Sequence, residues 1–139
     1  MKLKKLVSAV TALGVVAALC ASLSGCGEKK SDKYKVGICQ LAQHEALDAA
    51  TQGFKDALKE KLGDKVTFDE QNAAGEPATC TTIVNQFVSG KVDLIFANAT
   101  GALQAAVSAT DSIPIVGTSV TDYATALEMK DWSGKTGIN

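Results

Sequence analysis

The chain has 139 residues, with 14 lysines, no arginine, 15 acidic side chains and a formal net charge of -1. That length sets an expectation of one domain. The slightly acidic balance excludes the basic footprint that nucleic-acid binding requires, and without arginine no bidentate guanidinium clamp for phosphate or carboxylate can form.

The first 25 residues read as a leader and not as part of a fold. Lys2, Lys4 and Lys5 form a positive start, and residues 6–23 are apolar or small throughout. This is the layout of a secretory signal peptide. The competing reading is a permanent membrane helix, since the apolar run nearly reaches spanning length. The ending Leu23-Ser24-Gly25-Cys26 decides between them, because it resembles the bacterial lipobox. Small residues pass the narrow peptidase site, and the Cys26 thiol accepts the diacylglyceryl group. More than one acyl chain anchors stably, at ~0.8 kcal/mol per buried methylene. The expected mature chain therefore starts at Cys26, with residues 26–33 as a lysine-rich tether. It would sit lipid-anchored on the outer face of the bacterial cell membrane.

From Tyr34 onward, short apolar runs alternate with helical stripes. Residues 34–40 (YKVGICQ) form a first strand. Leu47, Ala50, Phe54, Leu58 and Leu62 then recur at helical spacing, which predicts a helix over residues 45–62 closed by Gly63. Residues 66–71 alternate apolar with polar, as a half-exposed strand does. After a turn-rich loop over residues 72–77, a second helix is predicted over residues 78–89, with Cys80, Ile83, Val84, Phe87 and Val88 inward. Residues 92–97 (VDLIFA) have the unbroken apolar centre of a strand covered on both faces. A third helix is predicted over residues 100–109 and a fourth strand over residues 113–118, with Pro114 near its start. Past Thr118 the pattern weakens to a short helix over residues 123–130 and a turn leading toward a strand at residues 134–139.

Strands alternating with helices predict an α/β fold with a doubly wound parallel sheet. The amphipathic second strand suits an edge and the apolar first and third suit the centre, which gives the order 2-1-3-4. Ligands of such sheets bind outside the carboxyl ends of the strands, at the switch point. The crevice is then built from residues 40–44 and 98–102, flanked by residues 72–76 and 118–122. Their amide, hydroxyl and small side chains suit a small polar ligand, and helix amino termini add donors for an anionic group.

The segments VGICQLAQHEALDAATQGFKDAL, QNAAGEPATCTTIVNQFV, DLIFANATGALQAA and IPIVGTSVTD, in that order, resemble the start of the ABC transporter substrate-binding family. More narrowly they are similar to the branch that includes tryptophan- and tyrosine-binding lipoproteins. The resemblance runs from about Lys35 to Asn139. It implies a two-lobed, type I periplasmic-binding fold that closes on its ligand, with residues 34–121 as the first lobe and residues 122–139 as a passage toward a second. It implies capture of a small solute, an amino acid and among these an aromatic one, and delivery to ABC permease subunits. First-lobe ligand contacts would fall on Gln40, His44, Thr100, Gly101, Thr118, Ser119 and Asp122. Because two lobes need 100–150 residues each, the sequence is expected to be a fragment.

Each of these residues has a plainer reading. Gln40 can simply finish the first strand, His44 can be a solvated first-turn residue, and Thr100 and Asp122 can be helix caps. Asn72 and Glu76 read as turn residues, and Trp132 as packing near the passage. Cys39 and Cys80 could pair in an exported protein, but their apolar settings favour buried free thiols. Cys39 with His44 would make a poor nucleophile, because no third orienting group is visible and a strand-interior thiol is inert. No metal spacing and no cofactor fingerprint is present. The rival readings are a small doubly wound enzyme, a repressor of the same fold and a membrane-tethered ligand sensor. The first lacks a nucleotide or hydrolase motif, the second lacks a basic helix-turn-helix, and the third stays open.

Overall fold

The computed structural model describes residues 33–134. The expected leader, the lipid site Cys26, most of the tether and residues 135–139 lie outside them. Among the described residues, no helix is long and apolar enough to cross a membrane.

The elements run β1 (Tyr34–Gln40), α1 (Glu45–Leu62), a 3-10 turn (Gly63–Lys65), β2 (Val66–Asn72), α2 (Pro77–Ser89), β3 (Leu94–Asn98), α3 (Thr100–Ala109), β4 (Ile115–Thr118) and α4 (Tyr123–Ala126). The four strands form one sheet in the order β2-β1-β3-β4, and every pairing is parallel. This is the doubly wound arrangement read from the sequence. The amphipathic β2 takes an edge, and β1 and β3 take the centre.

Helix α1 starts and stops where its sequence signals stand. His44 caps it, with Nδ1 accepting from Ala46 N–H at 3.2 Å. Gly63 ends it at φ 56°, a left-handed conformation that costs glycine little. Pro77 occupies the first turn of α2, where its missing N–H is no loss.

The core divides across the sheet. On one face α2 and α3 cover Cys39, Ile95 and Ala97 with Cys80, Ile83, Val84, Phe87, Ala102, Leu103 and Ala106, all buried. Gly37 makes room there, since a Cβ at that position would stand 2.6 Å from the Phe87 ring. On the other face α1 lies over Val36, Ile38, Val66 and Phe96 through Phe54, Leu58 and Leu62. The rings of Phe54 and Phe96 stack with centroids 4.0 Å apart. Lys55 pairs with Glu70 and ties α1 to the edge strand.

Three elements are shorter than the sequence predicts. β3 starts at Leu94 and not Val92, because Val92 N–H donates to Phe87 O in closing α2. Val92 is buried by packing alone. β4 starts at Ile115, just after Pro114, whose carbonyl still accepts from Ile95 N–H at 3.0 Å. α4 ends at Ala126, and Glu128 follows with φ 53°, which no helix continues through.

Candidate functional site: the carboxyl edge of the sheet

Residues paired directly across a sheet share a face, so the register lays side chains out in rows. One row under α1 is Glu70, Ile38, Phe96 and Val116. The next and last row is Asn72, Gln40, Asn98 and Thr118. At their carboxyl ends β1, β3 and β4 thus exchange an apolar position for a polar one, while β2 is already polar at Glu70, and the last row is entirely polar. In β1 and β3 this happens at buried positions, with Gln40 4 % and Asn98 0 % exposed.

The loops beyond that row converge. Leu41 N–H donates to Asn98 O, Ala73 N–H to Gln40 O, Gly75 N–H to Leu41 O, and Ala99 N–H to Thr118 O, at 2.7 to 3.1 Å. A Cβ on Gly101 would lie 3.4 Å from Leu41 and 3.8 Å from Pro77. The segments after β1, β2 and β3 therefore meet around the start of α3. Because each helix returns antiparallel to the strand before it, the amino termini of α1, α2, α3 and α4 all lie on this edge. Of these, the start of α3 has no side-chain cap, and its partial positive charge and N–H groups favour an anionic group there. Within residues 40–44, 72–76, 98–102 and 118–122 the ionisable side chains are His44, Glu76 and Asp122.

Three of the five described non-glycine residues at positive φ lie at this edge, the others being Lys91 and Glu128. Ala74 (φ 54°), Ala99 (φ 103°) and Ser119 (φ 56°) adopt positive φ just past β2, β3 and β4. Ala99, with ψ 163°, occupies a region that only glycine enters without penalty. Such conformations cost about 1–3 kcal/mol each and persist where the surroundings over-determine them.

The sequence-predicted residues have distinct fates. Thr100 is the first helical residue of α3 and not its cap; Ala99 holds the cap position, and no side chain caps this helix. The Thr100 hydroxyl is therefore not committed to capping α3. Gly101 follows it, half-buried. Thr118 ends β4 half-buried, and Ser119 is exposed beyond it. Asp122 is the cap of α4, accepting at Oδ1 from Thr125 N–H (3.2 Å) and at Oδ2 from the Thr125 hydroxyl (2.9 Å). Those bonds from Thr125 hold its carboxyl below the ordinary carboxylate range. His44 is exposed and engaged as the α1 cap.

Gln40 is turned under α1. Its Nε2 donates to Asp48 Oδ1 (2.6 Å) and Ala42 O (2.8 Å), while Oε1 accepts from the Thr51 hydroxyl (2.7 Å). Thr51, 3 % exposed, escaped the sequence reading because it falls on a stripe whose other members are apolar. Asn72, read as a turn residue, is instead the last residue of β2, and its side chain accepts from Ala74 N–H at 2.8 Å where the chain leaves the strand. At the β4 corner, the Tyr123 hydroxyl donates to Gly117 O (2.8 Å), and Trp132 stacks on its ring at 6.2 Å.

Cys39 and Cys80 are free and buried. Burial pushes the Cys39 thiol far above its ordinary range, with Cys80 beside it adding to the shift. Burial also raises Cys80. Neither thiol is a nucleophile near neutral pH.

The described residues thus form a doubly wound parallel sheet whose carboxyl edge is polar and rich in hydrogen-bond donors. A family model described as ABC transporter substrate binding protein matches residues 35–139. The chain belongs to that family. It is similar to a tyrosine-binding protein of Clostridioides difficile, with 41 % identity over 87 % of this chain and 39 % of the relative. Among solved structures it resembles a ligand-free, open substrate binding protein with adhesive properties from Clostridium difficile, at 44 % identity and TM-score 0.64, over 67 % of this chain and 32 % of that one. It also resembles an ABC domain in complex with L-Trp from Streptococcus pneumonia, at 33 % identity and TM-score 0.66, over 71 % of this chain and 34 % of that one. The chain thus spans well under half the length of these relatives.

Proposed function

We propose that this chain forms one wall of the solute cleft in the binding lipoprotein of an ABC importer, and that the solute is an amino acid with an aromatic side chain. The observation that carries the reading is the polar row at the carboxyl edge, with helix amino termini gathered beside it. Thr100, Gly101, Thr118 and Ser119 are the proposed direct contacts. The N–H groups opening α3 receive the ligand carboxylate in place of an arginine, and hydroxyls take further polar groups. Asp122 and His44 flank the wall, each already engaged as a helix cap. Gln40 acts from beneath, through Ala42 and Asp48. The relatives support the ligand class, one being named for tyrosine and another holding L-Trp.

In this reading a second lobe closes over the ligand, because the closed form binds it more tightly. Lipidation at Cys26 holds the protein on the outer membrane face, beside the permease that receives the solute. The protein works by binding and carries out no catalysis.

A titration of the isotope-labelled chain with L-tyrosine and L-tryptophan, followed by amide resonances, tests the wall directly. The amides of Thr100, Gly101 and Ser119 should move while those of Tyr34 and Leu94 at the opposite end stay. No response at that edge to either amino acid would overturn the assignment. Mass spectrometry of the exported product should show an acylated Cys26 as its first residue.

A further inference from the structure

We propose that Thr51, which lies beneath the cleft wall, is a positioning residue that fixes the wall's shape, an inference that rests on the ligand-binding reading of that edge. Thr51 is the one buried residue of α1. Its hydroxyl donates to Gln40 Oε1 at 2.7 Å and accepts from Asn98 Nδ2 at 3.0 Å. Through it the last residues of the two central strands are joined to one helix. Asn98 Nδ2 also donates to Leu47 O at 2.8 Å, and Gln40 Nε2 extends the chain of bonds to Asp48 and Ala42. Ala42 lies in the segment that leads to His44, and Asn98 is followed directly by the strained Ala99 and then α3. The knot therefore holds both the segment after β1 and the start of α3.

Stability alone does not account for this arrangement. The two preceding rows place Val36, Ile38, Leu94 and Phe96 on the same face of the same strands, and apolar packing serves there. At the last row that packing gives way to a buried amide pair. Asn98 commits its N–H groups toward α1 and leaves Oδ1, fully buried, without a partner among the described residues. An unsatisfied buried acceptor is a cost that an apolar core avoids. A buried network of this kind confers fixed geometry, and the geometry fixed here is that of the edge.

Thr51→Val keeps the shape and removes the hydroxyl, and Thr51→Ser restores it. Amide hydrogen exchange on the full chain gives reporters at both ends of the strands. Leu41 N–H (to Asn98 O) and Ala99 N–H (to Thr118 O) lie at the edge, while Asp93 N–H (to Lys35 O) and Ile95 N–H (to Pro114 O) lie at the opposite end. The expected result is exchange roughly tenfold faster or more at Leu41 and Ala99 in Thr51→Val, because both hydrogen bonds of the hydroxyl are lost. Asp93 and Ile95 should stay unchanged, and Thr51→Ser should return to the parent rates. Equal acceleration at all four amides, or none at any, overturns the proposal. Should Thr51→Val fail to fold, Thr51→Ala takes its place with the same two outcomes. Titration of the parent chain with L-tyrosine separates the two ideas, because an unresponsive parent sinks the ligand reading whatever the exchange pattern is.

Discussion

The two ends of the same four strands differ in kind. At the amino ends, the face toward α1 carries Val36, Val66 and Leu94, and α1 covers it with Leu58 and Leu62. At the carboxyl ends it carries Asn72, Gln40, Asn98 and Thr118, followed by three residues at positive φ. One end is arranged for burial, and the other holds polar groups and three of the five positive-φ residues in place. The first supplies the stability that the second consumes, as expected where a rigid scaffold carries a strained, polar edge.

The contrast can be broken most severely from the scaffold. Phe87 is 1 % exposed and sits in the space that Gly37 leaves open. Phe87→Ala should cost about 3–5 kcal/mol, read as a lowered urea midpoint and loss of protection across the whole sheet. Alkali should act next, where the two regions meet, at Cys39 one residue before Gln40. Its folded pKa is raised above the ordinary 9.0. The stabilising contribution is therefore whole below pH 9 and declines as pH rises, because the unfolded thiol ionises first. The loss amounts to about 1.4 kcal/mol per pH unit above that point. Urea titrations at pH 8 and pH 10 should show a smaller drop for Cys39→Ala than for the parent. The smallest expected effect has the opposite sign. Ala99→Gly relieves φ 103° and should raise stability by about 1 kcal/mol, while loosening the start of α3 where the ligand is proposed to bind. A fall in stability would show that Ala99 is not strained.

The fold was legible in the sequence because periodicity and order are local signals. Leu47, Ala50, Phe54, Leu58 and Leu62 announce α1 at its true bounds, and the polar alternation of residues 66–71 marks an edge strand. Boundaries failed where backbone bonds outside the sheet decided them, as at Val92, whose apolar side chain looks like strand but whose N–H closes a helix. The candidate site was legible as a location but less so in its parts. Strand-end loops follow from topology, whereas the direction of the Gln40 side chain depends on a threonine 11 residues away. Thr100 and Asp122 show the same limit in reverse: both looked like caps, and only Asp122 is one.

Trp132 is the chain's single tryptophan, and it lies flat against Tyr123, with 5° between the rings. Tyr123 is fastened through its hydroxyl to Gly117, next to Thr118. An indole 40 % exposed and coupled in this way to the tip of β4 is a natural optical gauge. Any tilt or drying of that corner shifts its emission, so the chain carries its own dye for reporting events at the tip of β4.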